Sequence, residues 1–205
     1  GYPLEAAALL LCEVDGLETD VALQLERAQA ILHEAGASSV RVASSAEERR
    51  RMWSGRKSAF PAVGRLAPDY YCMDGTIPRR HLPRVLERIE AMSHAYRLAV
   101  ANVFHAGDGN LHPLVLYDAR NPGEEERAAK LGGDILRMCV RYGGSITGEH
   151  GVGAEKAEYM ADMFGPDDLE TMRRVRSAFD GDAPFNPGKV FPPTRLCGDR
   201  PGPHE

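Results

Sequence analysis

Apolar residues in this chain follow two different periods. Helical spacing, often with acidic residues at the start or a glycine at the end, predicts helices, whereas short alternating or aromatic-rich runs predict strands. The predicted helices cover residues 17–36, 45–55, 81–96, 123–144, 154–165 and 166–180, and the predicted strands cover residues 6–12, 38–44 and 69–78, with a hairpin at residues 102–118. This order predicts an α+β fold in which helices pack on one face of an antiparallel sheet and a helical segment follows.

Composition narrows the class of protein. The chain has 205 residues, of which 43% are hydrophobic and 27% charged, as expected for a soluble globular protein. Its net charge of −5 gives no electrostatic reason to expect nucleic acid or an anionic membrane surface as a partner, so a small-molecule ligand is favoured. The longest apolar run, residues 6–12, is too short to cross a bilayer.

Cysteine spacing points to a reducing compartment. Cys12, Cys72, Cys139 and Cys197 form no C-x-x-C pair and lie far apart, which argues against a zinc knuckle, an iron–sulfur cluster within this chain or a disulfide framework. A cytoplasmic location is therefore expected. The chain also opens abruptly on a predicted strand, so we expect it to be part of a longer polypeptide, and residues 197–205 are expected to be a disordered tail.

The predicted hairpin carries two histidines around the sequence GDGN. If Asp108 and Gly109 form a two-residue turn, His105 lies directly opposite His112. Directly opposed residues have Cβ atoms roughly 4.5–5.5 Å apart, which lets two imidazoles reach one metal ion. The same face carries the apolar residues Ala101, Val103, Leu114 and Leu116. Either the two rings hydrogen-bond to backbone or water, or they bind a metal, and the pattern favours neither interpretation.

A second segment, GGSITGEHGVGAEK at residues 143–156, surrounds Glu149 and His150 with glycines. The glycines let the backbone approach a ligand closely before a helix predicted to begin near Ala154. Adjacent residues of an extended chain point in opposite directions, so Glu149 could complete a two-histidine, one-carboxylate set while His150 stays available as a base. The alternative is a glycine-rich helix entry whose charged residues face water. The presence of both segments in one chain favours the metal site.

Four motifs together resemble a known family. FHAGDGNLHP, GEHGVG, FNPGKVF at residues 185–191 and GRKSAFPAVGR at residues 55–65 are similar to the C-terminal domain of FAD-linked oxidases of the vanillyl-alcohol oxidase type. Within that family they most resemble flavin-bearing glycolate oxidase subunits and the related D-lactate and D-2-hydroxyglutarate dehydrogenases. The resemblance runs through residues 1–196 and implies a ferredoxin-like cap domain.

The resemblance implies an FAD-dependent enzyme that oxidises a 2-hydroxy acid. It implies that His105, His112 and Glu149 hold a divalent metal, zinc or manganese, which makes the substrate hydroxyl easier to deprotonate. His150 would accept that proton. The resemblance also implies that Arg56 and Lys156 bind the substrate, and the planar guanidinium of Arg56 can make a bidentate contact with the substrate carboxylate. Asn186 would lie near the flavin, and Lys189 would lie near anionic groups.

Two departures from the family favour a small substrate. Hydroxyglutarate dehydrogenases have an asparagine where this chain has Leu114, and they have a basic residue near the position of Cys72. Glycolate or lactate is therefore expected. The glycine-rich FAD-binding domain of the family is also missing from this chain, so we expect the chain alone to be inactive and to need that N-terminal domain as a partner.

The resemblance also implies that electrons pass to an acceptor, for which an iron–sulfur subunit is the expected partner, and such a subunit could bring the protein to a membrane. Three other functions stay open on the residues alone. The same ligands could serve a non-haem iron oxygenase or a metal-dependent hydrolase. The chain could also be a non-catalytic interaction module whose histidines are structural.

Overall fold

The computed structural model describes residues 2–3, 5–180 and 185–192 of the chain. The predicted tail at residues 197–205, with Cys197, lies outside this range. The chain divides into two compact units, residues 1–60 and residues 61–205. Each unit is described by itself below.

The first unit is built on two helices, α1 (Glu18–Glu34) and α2 (Ala46–Lys57). Gly36, with φ of +85°, follows the end of α1, as its predicted role as a helix stop requires. The predicted cap of α2 is also present, because the Ser45 hydroxyl accepts a hydrogen bond from the Glu48 backbone N–H at 3.1 Å. The helix extends two residues beyond the predicted end at Gly55.

Both strands predicted in the first unit are wrong. The described residues within 6–12 and 38–44 form no strand ladder, and no described residue of this unit is buried. A strand is stable only when a neighbouring strand accepts its backbone hydrogen bonds, and a unit of this size buries little surface. Local apolar pattern alone therefore overestimated the strand content here.

The second unit contains the sheet and most of the helices, and it confirms the α+β fold class. A short helix, α3 (Ala59–Val63), leads into it. The strands are β1 (Asp69–Cys72), β2 (Gly75–Thr76), β3 (Val100–His105) and β4 (Asn110–Tyr117). The helices are α4 (Leu82–Tyr96), α5 (Glu124–Arg141), α6 (Met160–Met163) and α7 (Pro166–Asp180), with 3₁₀ turns at Arg79–His81 and Ala157–Tyr159. Among the described helices, none is both long and apolar enough to cross a membrane.

Strand β4 is the centre of the antiparallel sheet. It pairs with β3 and with both β1 and β2. Cys72 lies opposite Leu114 and Gly75 opposite Leu111, so β2 continues the register of β1 and the same register places Asp74 opposite His112. The predicted strand at residues 69–78 is thus present with an interruption. Pro113 lies in β4 next to this interruption and has no N–H to donate to a ladder.

The hairpin register differs from the prediction by two residues. His105 lies opposite Asn110, and Val103 lies opposite His112, so the connection has four residues instead of two. The His105 carbonyl accepts hydrogen bonds from the N–H groups of both Asp108 and Gly109 at 3.1 Å, which closes this longer loop. A shift by an even number keeps every side chain on its face. The two histidines therefore share one face as diagonal rather than direct neighbours.

The other face of the sheet packs on α4 and α5. Its cluster of fully or nearly buried residues includes Val85 and Ile89 of α4, Leu111 and Val115 of β4, and Leu131, Ile135 and Cys139 of α5. A second cluster joins α5 to the C-terminal helices through Leu136, Ile146, Met160 and Leu169. Helix α5 contacts both clusters. The helices thus cover one face of the sheet, and the opposite face carries the histidines.

Ile135 is expected to be a major contributor to the stability of this core. It is fully buried in α5, so Ile135→Ala should lower the free energy of unfolding by about 2–5 kcal/mol through lost burial and a residual cavity. Urea denaturation measures the effect. Val175→Ala is the matched control, since Val175 of α7 is 57% exposed and its truncation should change stability by less than about 0.5 kcal/mol. Equal effects of the two substitutions would contradict this description of the core.

Candidate metal centre

Two strands and one loop bring three possible metal ligands together. His105 is the last residue of β3, His112 lies within β4, and Glu149 lies in the irregular segment after α5. The Glu149 Oε1 atom is 3.1 Å from His112 Nε2 and 3.6 Å from His105 Nε2. One ligand atom from each of the three residues lies within 4.8 Å of the other two. Glu149, which follows His112 by 37 positions in the sequence (149 − 112), therefore meets the two histidines of the hairpin at one point.

The chemistry and spacing of this set fit a divalent transition metal. Two ligands bound to one zinc at about 2.0–2.1 Å lie roughly 3 Å apart, and the separations of Glu149 Oε1 from the two histidine nitrogens are near that value. Two imidazoles and one carboxylate leave further coordination positions for a substrate. The imidazole rings of His105 and His112 meet edge to face, with centroids 5.5 Å apart, so their nitrogens can converge.

The three side chains differ in their exposure to solvent. The His112 side chain is 3% exposed, whereas those of His105 and Glu149 are 44% and 53% exposed. Burial, followed by repulsion from the nearby His150, lowers the pKa of His112. A lowered pKa keeps the imidazole neutral, which is the form that binds a metal. The site thus has one buried ligand at its base and two ligands that reach solvent.

His150 lies against the same group. Its ring stacks on the His112 ring with centroids 4.9 Å apart, and its Nε2 is 3.9 Å from Glu149 Oε1. The prediction that Glu149 and His150 point in opposite directions is therefore wrong. That prediction assumed an extended backbone, whereas the N–H groups of Gly148, Glu149 and His150 all turn towards one acceptor.

The acceptor is Asp74, which sequence reasoning did not identify. Its carboxylate is fully buried behind the loop of residues 147–150 and accepts six hydrogen bonds. The donors are the backbone N–H groups of Gly148, Glu149 and His150, the Thr147 hydroxyl, the Asn110 amide and the Lys156 ammonium, at 2.8–3.1 Å. Burial opposes ionisation, but the backbone and hydroxyl hydrogen bonds outweigh it and hold the pKa of Asp74 far below its usual value.

One sequence signal could have drawn attention to Asp74. Aspartate is uncommon inside strands, and here it interrupts a run rich in aromatic and apolar residues, DYYCMDGTIP. Its partners cannot be read from that run, because Asn110 lies 36 residues away and the backbone donors of the loop lie more than 70 residues away. The strand pairing and the loop conformation are both needed to recognise the contact.

Asp74 also belongs to a second group of possible ligands, with His112 and His150. A carboxylate has about four lone-pair positions, and the six donors around Asp74 already occupy its two oxygens. The Asp74 Oδ1 atom is 3.5 Å from His112 Nε2, farther than Glu149 is. We therefore favour the set with His105 and Glu149 for the metal, with Asp74 outside it.

The other predicted site residues have these positions. Lys156 is buried, and its ammonium lies 3.1 Å from Asp74 and 3.3 Å from the Thr147 hydroxyl, so its charge is engaged with the loop. Its role in substrate binding stays a prediction. Arg56 lies in the last turn of α2, in the first unit, and its role also stays a prediction.

Asn186 and Lys189 lie in the exposed FNPGKVF segment. Asn186 has a left-handed backbone with φ of +47°, as a turn residue can. Arg176 of α7 donates to the carbonyl oxygens of Asn186 and Lys189 at 3.1 and 3.0 Å. The Val190 N–H donates to the Gly153 carbonyl at 2.7 Å, which makes this segment a neighbour of the GEHGVG loop.

Comparison with known proteins identifies the family. The chain is 58% identical over 199 residues to the glycolate oxidase subunit GlcD of Escherichia coli K12 and 37% identical over 191 residues to GlcD of Bacillus subtilis. It is 31% identical over 195 residues to the mitochondrial D-lactate dehydrogenase [cytochrome] of Arabidopsis thaliana. These alignments cover 97%, 93% and 94% of this chain but only 40%, 41% and 34% of the relatives.

The chain thus spans about two fifths of the length of these relatives or less. The model of the family described as "FAD linked oxidases, C-terminal domain" matches residues 1–190, a stretch that includes the hairpin, the GEHGVG loop and α7. The protein therefore belongs to the family of FAD-linked oxidases and corresponds to their C-terminal domain.

Proposed function

We propose that this chain supplies the metal- and substrate-binding part of an FAD-dependent oxidoreductase that acts on a small 2-hydroxy acid, glycolate or D-lactate. The observation that carries the proposal is the meeting of His105, His112 and Glu149 within 4.8 Å. Relatives named as glycolate oxidase subunits and as a D-lactate dehydrogenase support the substrate class. FAD would be held mainly by an N-terminal part of the enzyme outside this chain.

The residues of the chain have distinct tasks in this proposal. A divalent ion held by His105, His112 and Glu149 would supply a Lewis acid for the hydroxyl and carboxylate of the substrate. His150 is close enough to this group to accept the hydroxyl proton, since its ring stacks on that of His112. Flavin, when bound, would take up the α-hydrogen as hydride. Removal of the proton and of the hydride together oxidises the alcohol to a carbonyl.

Substrate size is proposed from one buried position. Leu114 is fully buried on the face of the sheet that carries the histidines, so it offers no polar group to a second carboxylate. The second carboxylate of a dicarboxylate substrate would therefore have no polar partner near Leu114, which is unfavourable. Glycolate and lactate carry a single carboxylate, for which Arg56 is the predicted partner. An iron–sulfur subunit as electron acceptor also stays a proposal.

Anaerobic flavin reduction tests the proposal. The complete polypeptide that contains this chain should lose its oxidised-flavin absorbance when glycolate or D-lactate is added, and much more slowly with D-2-hydroxyglutarate. Treatment with a strong chelator should abolish the reduction, and Zn²⁺ or Mn²⁺ should restore it. Dithionite serves as the control for a reducible flavin. Flavin that dithionite bleaches but no 2-hydroxy acid reduces would refute the proposed function.

A further inference from the structure

Among the described residues of the second unit, Asp74 is the most enclosed charged residue without a ligand role in the proposed function. Its side chain is fully buried, and its one cationic partner, among the described residues, is the 5% exposed Lys156. A buried ion pair of this kind adds little net stability, because the cost of removing two charges from water offsets their attraction. The pair therefore calls for an explanation other than stability.

The geometry around Asp74 supplies that explanation. Three successive backbone N–H groups, those of residues 148–150, donate to its two oxygens at 2.9–3.1 Å. Successive amides can share one anion only in a tightly curved backbone. This curvature keeps Glu149 and His150 together on the side of His112 instead of opposite one another. The loop segment has no described helix or strand of its own to hold that shape.

We infer that Asp74 is a positioning residue of the metal centre: its buried carboxylate, neutralised by Lys156, fixes the backbone of residues 148–150 so that the Glu149 side chain meets His105 and His112. The structural part of this inference concerns the chain alone. Its effect on metal binding rests on the proposed function. In this inference the ammonium group of Lys156 neutralises Asp74 and does not bind a substrate.

The surroundings of the loop agree with this assignment. A Cβ atom added at Gly148 would collide with the Asn110 amide and lie 2.8 Å from the Thr76 side chain. Asn110 in turn donates to Asp74 at 3.1 Å. The loop backbone is therefore packed directly against Thr76 of β2 and Asn110 of β4, without space for another side chain between them.

Charge balance defines the test. Asp74→Asn would turn an N–H₂ group towards the loop amides and would leave the buried Lys156 without its carboxylate. Lys156→Met would leave the buried Asp74 without its cation but would keep the acceptor of the loop amides. The double variant Asp74→Asn with Lys156→Met removes both buried charges together and is expected to remain folded. The double variant thus separates loop positioning from charge neutralisation.

Two measurements on the complete polypeptide follow the loop and the metal separately. Amide hydrogen exchange of residues 148–150 in metal-free protein should speed up in Asp74→Asn and in the double variant, and much less in Lys156→Met. Zn²⁺ affinity should fall about 10–100-fold in the same two variants, the usual cost of losing a residue that orients metal ligands. The Co²⁺ absorption spectrum should change with them, as it reports ligand geometry.

Asp134→Asn is the matched control, because Asp134 is a hydrogen-bonded carboxylate of α5 that contacts Tyr96 and Arg137. It should leave loop exchange and Zn²⁺ affinity as in the wild type. A double variant with wild-type loop protection and wild-type Zn²⁺ affinity would overturn the inference. A wild-type protein without Zn²⁺ affinity would instead count against the proposed function, while faster loop exchange in Asp74→Asn would still support the positioning role.

Discussion

The His112→Ala variant is expected to lose its divalent metal and, with it, substrate-dependent flavin reduction. His112 is the buried ligand of the proposed set, and its Nε2 lies 3.1 Å from Glu149 Oε1. Substitution of residues that only orient metal ligands already costs about 10–100-fold in affinity, so removal of a ligand should cost more than about 100-fold. Isothermal titration with Zn²⁺ or Mn²⁺ measures the loss directly.

A companion variant and a control make this prediction specific. Because His112 is buried, its truncation could also disturb the fold. Glu149→Gln keeps the shape of a 53% exposed side chain and removes its charge, so it should weaken metal binding in a folded protein. His94→Ala, at the exposed end of α4, should have no effect. Unchanged metal stoichiometry and affinity in both His112→Ala and Glu149→Gln would show that the cation binds elsewhere.

The His150→Gln variant is expected to bind metal normally and to react slowly. A positioned general base typically contributes about 10²–10⁴-fold to a rate, so flavin reduction at saturating substrate should slow by that factor. Zn²⁺ affinity should stay at the wild-type value, because His150 is not among the three favoured ligands. Stopped-flow measurement of flavin bleaching gives the rate constant.

Chemical rescue separates the two possible roles of His150. Its side chain is 45% exposed, so added imidazole can reach the position of the missing ring and should restore part of the rate. His94→Gln is the control for loss of an exposed histidine. A large fall in Zn²⁺ affinity in His150→Gln, with no rescue by imidazole, would instead favour the alternative ligand group of Asp74, His112 and His150.

Helices were predictable because their signals are local. The Ser45 cap, the glycine after α1 and the apolar spacing of α4, α5 and α7 lie within a few residues of the elements they define. Strands depend on partners that lie far away in sequence. The apolar runs within residues 1–60 have a strand pattern, but the described residues there pair with no other strand. Residues 69–76, in contrast, pair with β4 and form β1 and β2.

The hairpin shows how a wrong register can still place a site on the correct face. The two-residue turn placed His105 opposite His112, whereas the observed loop places His105 opposite Asn110. Since side chains alternate between faces, the error of two residues left both histidines on one face. A shift of one residue would have placed the two histidines on opposite faces.

The loop contacts lay beyond sequence reasoning for a different reason. Glu149 and His150 were identified from their glycine-rich setting, but their directions depend on three backbone amides that bind Asp74. Backbone hydrogen bonds leave no trace in residue types. Asp74 itself could equally have been a solvated turn residue, because a glycine, Gly75, follows it directly.

Unequal enclosure of the three proposed ligands has a kinetic consequence. His112 is held within the central strand and excluded from water, whereas Glu149 sits on an irregular segment and reaches solvent. A cation that leaves this site must first release the ligand that can move, so opening of residues 148–150 should set its residence time.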